Sequence, residues 1–137
     1  MIKKTITYTD YDGNEVTEDY YFHLNKAEVI EMEASEDGAF SETLKRIAEE
    51  KNATLMMKTF KTLILKSVGI KSEDGKHFRK PEGFAEDFES SEAYSALFSE
   101  LCTNVDEATR FISGILPLDA KQREEIMSKV SSLPAET

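Results

Sequence analysis

The sequence predicts an α+β fold, predominantly α-helical, with an N-terminal β-hairpin followed by a bundle of about five to seven short helices. Three observations predict it. Apolar and β-branched residues alternate with period two from Ile2 to Leu24, around an Asp12-Gly13 pair suited to a hairpin turn. After Asn25 the period changes to about 3.6. Near the end, two stretches headed by Ser91 and Asn104 repeat one apolar spacing of i, i+3, i+4, i+7. At 137 residues the chain is expected to form one domain, 1–137, divided into a hairpin (1–24), a helical bundle (25–133) and a frayed tail (134–137).

The elements follow in order. Ile2–Asp10 and Glu15–Leu24 are the hairpin strands, with Ile2, Ile6 and Tyr8 on one face of the first and Val16, Tyr20, Phe22 and Leu24 on one face of the second. A two-stranded ribbon is marginal in water, so its apolar face must lie on the helices or pair with another strand. Asn25 caps a first helix reaching Ala34, with Ala27, Ile30 and Ala34 on its stripe. A second helix carries Phe40, Leu44, Ile47 and Ala48. Asn52 caps a third bearing Met56, Phe60, Leu63 and Ile64, which Gly69 closes. Ser72 to Lys80, with Asp74-Gly75 inside, is an ordered loop or small hairpin, and Pro81 suits the first turn of a short helix holding Phe84 and Phe88. Tyr94, Leu97, Phe98 and Leu101 then form one stripe and Ala108, Phe111, Ile112 and Ile115 the next, an expected antiparallel pair. Pro117 stops that helix, and Asp119 caps a last one with Ile126, Met127 and Val130 inward.

Charge narrows the function. Seventeen Lys and Arg against 27 Asp and Glu give −10, a field that repels phosphate backbones and anionic headgroups. The acids are dispersed, as the solvated surface of amphipathic helices requires. No apolar run has the length of a signal peptide core or a membrane span, so neither nucleic acid nor membrane is an expected partner. Cys102 is the only cysteine; with His23 and His77 distant in sequence it reads as a small buried side chain in a reduced compartment.

Sites of chemistry are weighed in turn. Asp10, Asp12 and Asn14 alternate like the start of a calcium loop, but Glu15 stands where that loop needs Gly and Tyr21 where it needs Glu, so hairpin-turn chemistry is the better reading. No HxxxH, CxxC, GxGxxG, GxxxxGK[ST] or GxSxG pattern occurs. Neither a cofactor nor a metal is expected, and no catalytic set can be assembled, so the chain is read as a non-enzyme. Lys76, Arg79 and Lys80 around His77 and Phe78 form a local basic patch, either a contact for an acidic partner or RNA or an ordinary loop on a negative body.

Four segments resemble one family in order and spacing. DGKHFRK (74–80) is similar to a DGKRF-like segment, FESSEAYSALFSEL (88–101) to a Phe, Thr or Ser, Glu-Ala-Tyr, Leu pattern, and FISGILP (111–117) to a Phe-Ile-x-Gly-Ile-x-Pro ending. YYFHLNKAEVIEME (20–33) resembles the strand-to-helix junction of the same proteins. They are the tail assembly chaperones of siphophages infecting Gram-positive hosts. The resemblance implies a chaperone without ATP that binds the tape measure protein in the host cytoplasm and assists the major tail tube protein to polymerise around it. It also implies departure before the virion is complete, and many relatives have a longer product made by ribosomal frameshifting.

Met56, Met57, Phe84 and Phe88 are the candidates for partner contact, because soft and aromatic side chains beside loops suit adaptable recognition. The same residues at helical spacing also suit a core. Self-association through the hairpin's unpaired edges is a further expectation. The alternative function is a phage-encoded regulatory or inhibitory protein-binding module, or a structural subunit kept in the virion.

Overall fold

The computed structural model describes residues 1–33, 46–47 and 49–117. Strands β1 (Ile2–Thr9) and β2 (Glu15–Phe22) are antiparallel, with Ile2 opposite Phe22 and Thr9 opposite Glu15. Asp10 builds the turn between them. Its carboxylate accepts from the backbone N–H of Asp12 and of Asn14, and Gly13 adopts φ 85°, the left-handed residue that lets a type I turn close a hairpin. The period-two reading holds: Ile6 and Phe22 are buried and Ile2, Tyr8 and Tyr20 pack against the core, while Thr5, Thr7 and Thr17 face outward.

Helix α1 (Lys26–Glu33) starts with a reciprocal capping box. The Asn25 side chain accepts from Glu28 N–H, and the Glu28 carboxylate accepts from Asn25 N–H. The expected stripe on this helix is wrong. Ala27 and Ile30 are exposed, Val29 and Met32 pack on the core, and Ala34 lies outside the described residues. The cap and the ion pair from Lys80 to Glu28 set the helix phase by fixing Glu28, against a sequence whose apolar residues do not gather on one side. Most of the expected second helix (Phe40, Leu44, Ala48) also lies outside the described residues, although Ile47 is helical and buried.

Helix α2 (Ala53–Ser67) is capped as expected, with Asn52 accepting from Leu55 N–H, and its four expected core residues are all buried. Gly69 does not close it. The helix ends at Ser67, and the chain turns directly into strand β3 (Val68–Lys71), which pairs with β2 through Tyr21–Gly69 and Phe22–Val68. Strand β4 (Phe78–Arg79) returns beside β3 after the Asp74-Gly75 turn, so among the described residues the hairpin becomes a four-stranded antiparallel sheet ordered β1-β2-β3-β4. The small hairpin expected at 72–80 is present. The partner strand for the ribbon thus comes from the chain's own middle.

Pro81 precedes the short helix rather than opening it. Its carbonyl accepts from Phe84 N–H in a turn, Gly83 takes φ 84°, and helix α3 (Phe84–Glu89) follows. Helices α4 (Glu92–Thr103) and α5 (Val105–Ile115) pack on each other through the single linking residue Asn104, which accepts from Glu107 N–H. Ala108, Phe111, Ile112 and Ile115 are all buried as expected; on α4, Ala93, Leu97, Leu101 and Cys102 are buried, but Tyr94 and Phe98 only half so. Five helices have described bounds, and α2, α4 and α5 cover the inner face of β1 and β2. The expected last helix, with Asp119, Ile126, Met127 and Val130, lies outside the described residues.

One cation crosses this layer. Lys4 points inward from β1, only 16% exposed, to the carboxylates of Glu100 on α4 (2.9 Å) and Glu107 on α5 (3.3 Å), and Arg110 also pairs with Glu107. Burial pushes the Lys4 ammonium down, but the two carboxylates outweigh it and hold its pKa above 10.5. Bonding to Lys4 holds Glu107 below 4.5. The sign follows for each group: Lys4 stabilises below its unfolded pKa and loses that contribution as pH rises through its folded value. Glu107 stabilises above its unfolded pKa and loses it as pH falls. Lys4→Met should therefore cost on the order of 1 kcal/mol near neutral pH, with solvent screening at Glu100 limiting the loss. The difference from the parent should shrink as pH falls through the lowered Glu107 value, where that carboxylate takes up a proton and its pairing with Lys4 is lost. Urea melts at a series of pH values check this, and a pH-independent difference would refute it.

Candidate partner-binding surface

The four expected contact residues sit on two adjacent helices, Met56 and Met57 on α2 and Phe84 and Phe88 on α3, and Lys61 on α2 pairs with Glu89 on α3 at 3.0 Å. Their burial differs. Met56 is 2% and Phe88 4% exposed, both within the core, whereas Met57 and Phe84 are partly buried and packed against it. Each helix thus sends one residue of its pair inward and leaves the other at the margin.

Phe88 stands in the middle of an aromatic series that runs from the core to the surface. Its ring lies 4.8 Å from Tyr20 and 5.8 Å from Phe22, and Phe22 in turn meets Phe111 edge-on at 5.3 Å. Outward, Phe88 meets Tyr94 edge-on at 6.0 Å, and Tyr94 stacks on Phe98 at 5.7 Å. These tilted and offset pairs add to the area they bury. Tyr94 and Phe98 are the residues that sequence reasoning missed as surface: it placed them in the core stripe because their spacing from Leu97 and Leu101 is that of a buried face. The stripe is wider than the surface available to cover it, so its flank stays half-exposed. Burial pushes the Tyr94 phenol above its ordinary value, which keeps it neutral.

The junction after β2 fixes this layer in place. His23 N–H donates to the Ser67 carbonyl and Leu24 N–H to that of Ile115, joining the end of the ribbon to the ends of α2 and α5. The His23 ring stands edge-on to Phe78 at 6.0 Å, and its buried Nδ1 has no hydrogen-bond partner among the described residues. Burial, then the amino terminus and Lys80, pushes the imidazole pKa down, so the ring is neutral at physiological pH.

Among the described residues no group of three or more His, Cys, Asp or Glu is placed to hold a metal, and no helix is long and apolar enough to cross a membrane. Chemically this surface offers soft and aromatic groups with a charged margin, an arrangement for binding protein. Neither the curated proteins nor the solved structures give a match to the chain. The family model described as phage tail assembly chaperone matches residues 1–136, so every element described above falls within it. The chain belongs to the phage tail assembly chaperone family.

Proposed function

We propose that the protein binds the tape measure protein during tail morphogenesis, assists the tail tube protein to polymerise around it, and leaves before the virion is complete. The observation that carries this reading is the family match over residues 1–136. The half-exposed flank of Met57, Phe84, Tyr94 and Phe98 supports it, because such a surface suits the apolar face of an amphipathic helix. Met56 and Phe88 back that surface from within. The formal charge of −10 keeps the free chaperone soluble in the host cytoplasm and disfavours nucleic acid as its partner.

The test is co-expression with the neighbouring tape measure and tail tube proteins. A soluble complex with the tape measure is expected in size-exclusion chromatography, with this chain absent from purified virions by mass spectrometry. Phe84→Ser with Phe98→Ser should weaken that complex at least about tenfold, the scale of one lost apolar anchor. Failure to bind either protein would point to a regulatory or inhibitory module, and persistence in the virion to a structural subunit.

A further inference from the structure

The inner face of the β1–β2 ribbon is not covered along its whole length. Toward the turn it carries Tyr8 and Val16 as an opposed pair, with Glu18 and Tyr20 following on β2, and none of the four is fully buried. The Glu18 carboxylate accepts from two phenols, that of Tyr8 and, at 3.3 Å, that of Tyr20. At the tip, Tyr11 is 77% exposed and reaches across to the helices, its hydroxyl donating to the Ser90 carbonyl at 3.1 Å. Two residues on, Glu92 opens α4; desolvation of the Tyr11 hydroxyl, then the Glu92 carboxylate, pushes that phenol above its ordinary value. Neutral tyrosines and carboxylates thus share one surface.

These carboxylates differ from others in the molecule. Among the described residues neither Glu18 nor Glu92 is in an ion pair, although five other acids are. Aromatic faces beside unpaired carboxylates suit a guanidinium better than an ammonium, because its plane stacks on a ring while its fork meets the carboxylate. Continuity then selects the occupant. Tyr20 and Tyr94 both lean on Phe88, at 4.8 and 6.0 Å between ring centres, so the tyrosine end runs into the half-exposed flank of Tyr94 and Phe98. One elongated segment can lie on both.

We propose that Tyr8, Tyr11, Glu18 and Glu92 form the charged end of the partner-binding surface and select an arginine-bearing helix of the tape measure protein. That helix is apolar where it covers Tyr94 and Phe98 and basic where it crosses the ribbon's turn. The inference rests on the tape measure reading given above and adds to it a rule for which segment is chosen. Apolar contact alone accepts an amphipathic helix in either direction; two carboxylates at one end fix its direction and register.

The experiment is fluorescence anisotropy with the purified full chain and overlapping labelled peptides that together span the tape measure protein. Peptides that bind are expected to carry arginine at one end of an apolar stripe. Glu18→Gln with Glu92→Gln should weaken them at least about tenfold and flatten their salt dependence. Glutamine keeps an acceptor for the phenols, and far-UV circular dichroism verifies that the variant stays folded. Glu31→Gln with Glu73→Gln makes the same change in net charge at exposed positions elsewhere and should alter binding less than about twofold. Replacing the peptide's arginines by glutamine should weaken binding to the parent as much, and add little in the Glu18/Glu92 variant, the mark of directly coupled groups. Equal losses in the two double variants, no loss at Glu18 and Glu92, or losses that add without coupling overturn the proposal. Co-elution of the tape measure protein without binding of any arginine-bearing peptide overturns it too and leaves the tape measure reading standing. Absence of both overturns the two together.

Discussion

Phe22→Ala should remove about 3–5 kcal/mol of stability, the usual cost of deleting a buried phenyl ring, and by that measure a third or more of what a domain of this size has. The expectation comes from where Phe22 sits. It is 0% exposed, its backbone is opposite Ile2 in one ladder and Val68 in the other, and its ring meets Phe88 on α3 and Phe111 on α5. Four elements therefore lose contact with one side chain, and because they come from different parts of the chain no single local shift can fill the space. Urea denaturation of the parent, Phe22→Ala and Phe22→Leu tests it, with leucine expected to recover more than half of the loss. A loss under about 1 kcal/mol for alanine would mean that these elements do not share one core around Phe22.

Gly69→Ala should also destabilise, by about 1–3 kcal/mol, and here the sign is the informative part. In ordinary extended backbone, replacing glycine by alanine gains about 0.4–1 kcal/mol by restricting the unfolded chain. At Gly69 a Cβ would stand 2.5 Å from Cε2 of Phe78 and 2.7 Å from the carbonyl oxygen of Arg79. The ring could turn aside; the carbonyl belongs to the strand paired with β3 and could move only if that pairing loosened. Hydrogen exchange should show lost protection in β3 and β4 with little change in α4 and α5. A stabilised Gly69→Ala protein would show that β4 does not lie against β3 at this point.

The same glycine explains what the sequence conceals. Val68 to Lys71 offers four residues, one of them glycine, directly after a helix whose period runs to Ser67, so propensity reads Gly69 as the helix stop. Only the approach of Phe78, a contact made in three dimensions, gives that glycine its other purpose. The stripes of α2 and α5 were legible because all four apolar residues of each recur at helical spacing and the helices begin at Asn52 and Asn104, whose side chains do cap. The phase of α1 was misread although Asn25 and Glu28 stand at capping-box spacing; that local signal outranks a weak apolar pattern. The candidate surface was half legible. Spacing alone identifies apolar residues on a helix, but whether Met57 is left at the margin and Met56 is covered depends on how α2 meets its neighbours.

The hydrogen bond from Leu24 N–H to the carbonyl of Ile115 has a consequence in time. The ribbon leaves the ribosome before the helices that cover it, and the residues that cover Phe22 and Leu24 include Phe111 and Ile115, near the end of the described residues. At about 5–20 residues per second, roughly 5–18 s of synthesis separate the two. Throughout that interval the nascent ribbon carries an uncovered apolar face and unpaired strand edges, the features that invite aggregation. A protein whose family protects others during assembly thus passes its own early life in need of protection, and its translation rate between residues 24 and 115 becomes a determinant of its yield.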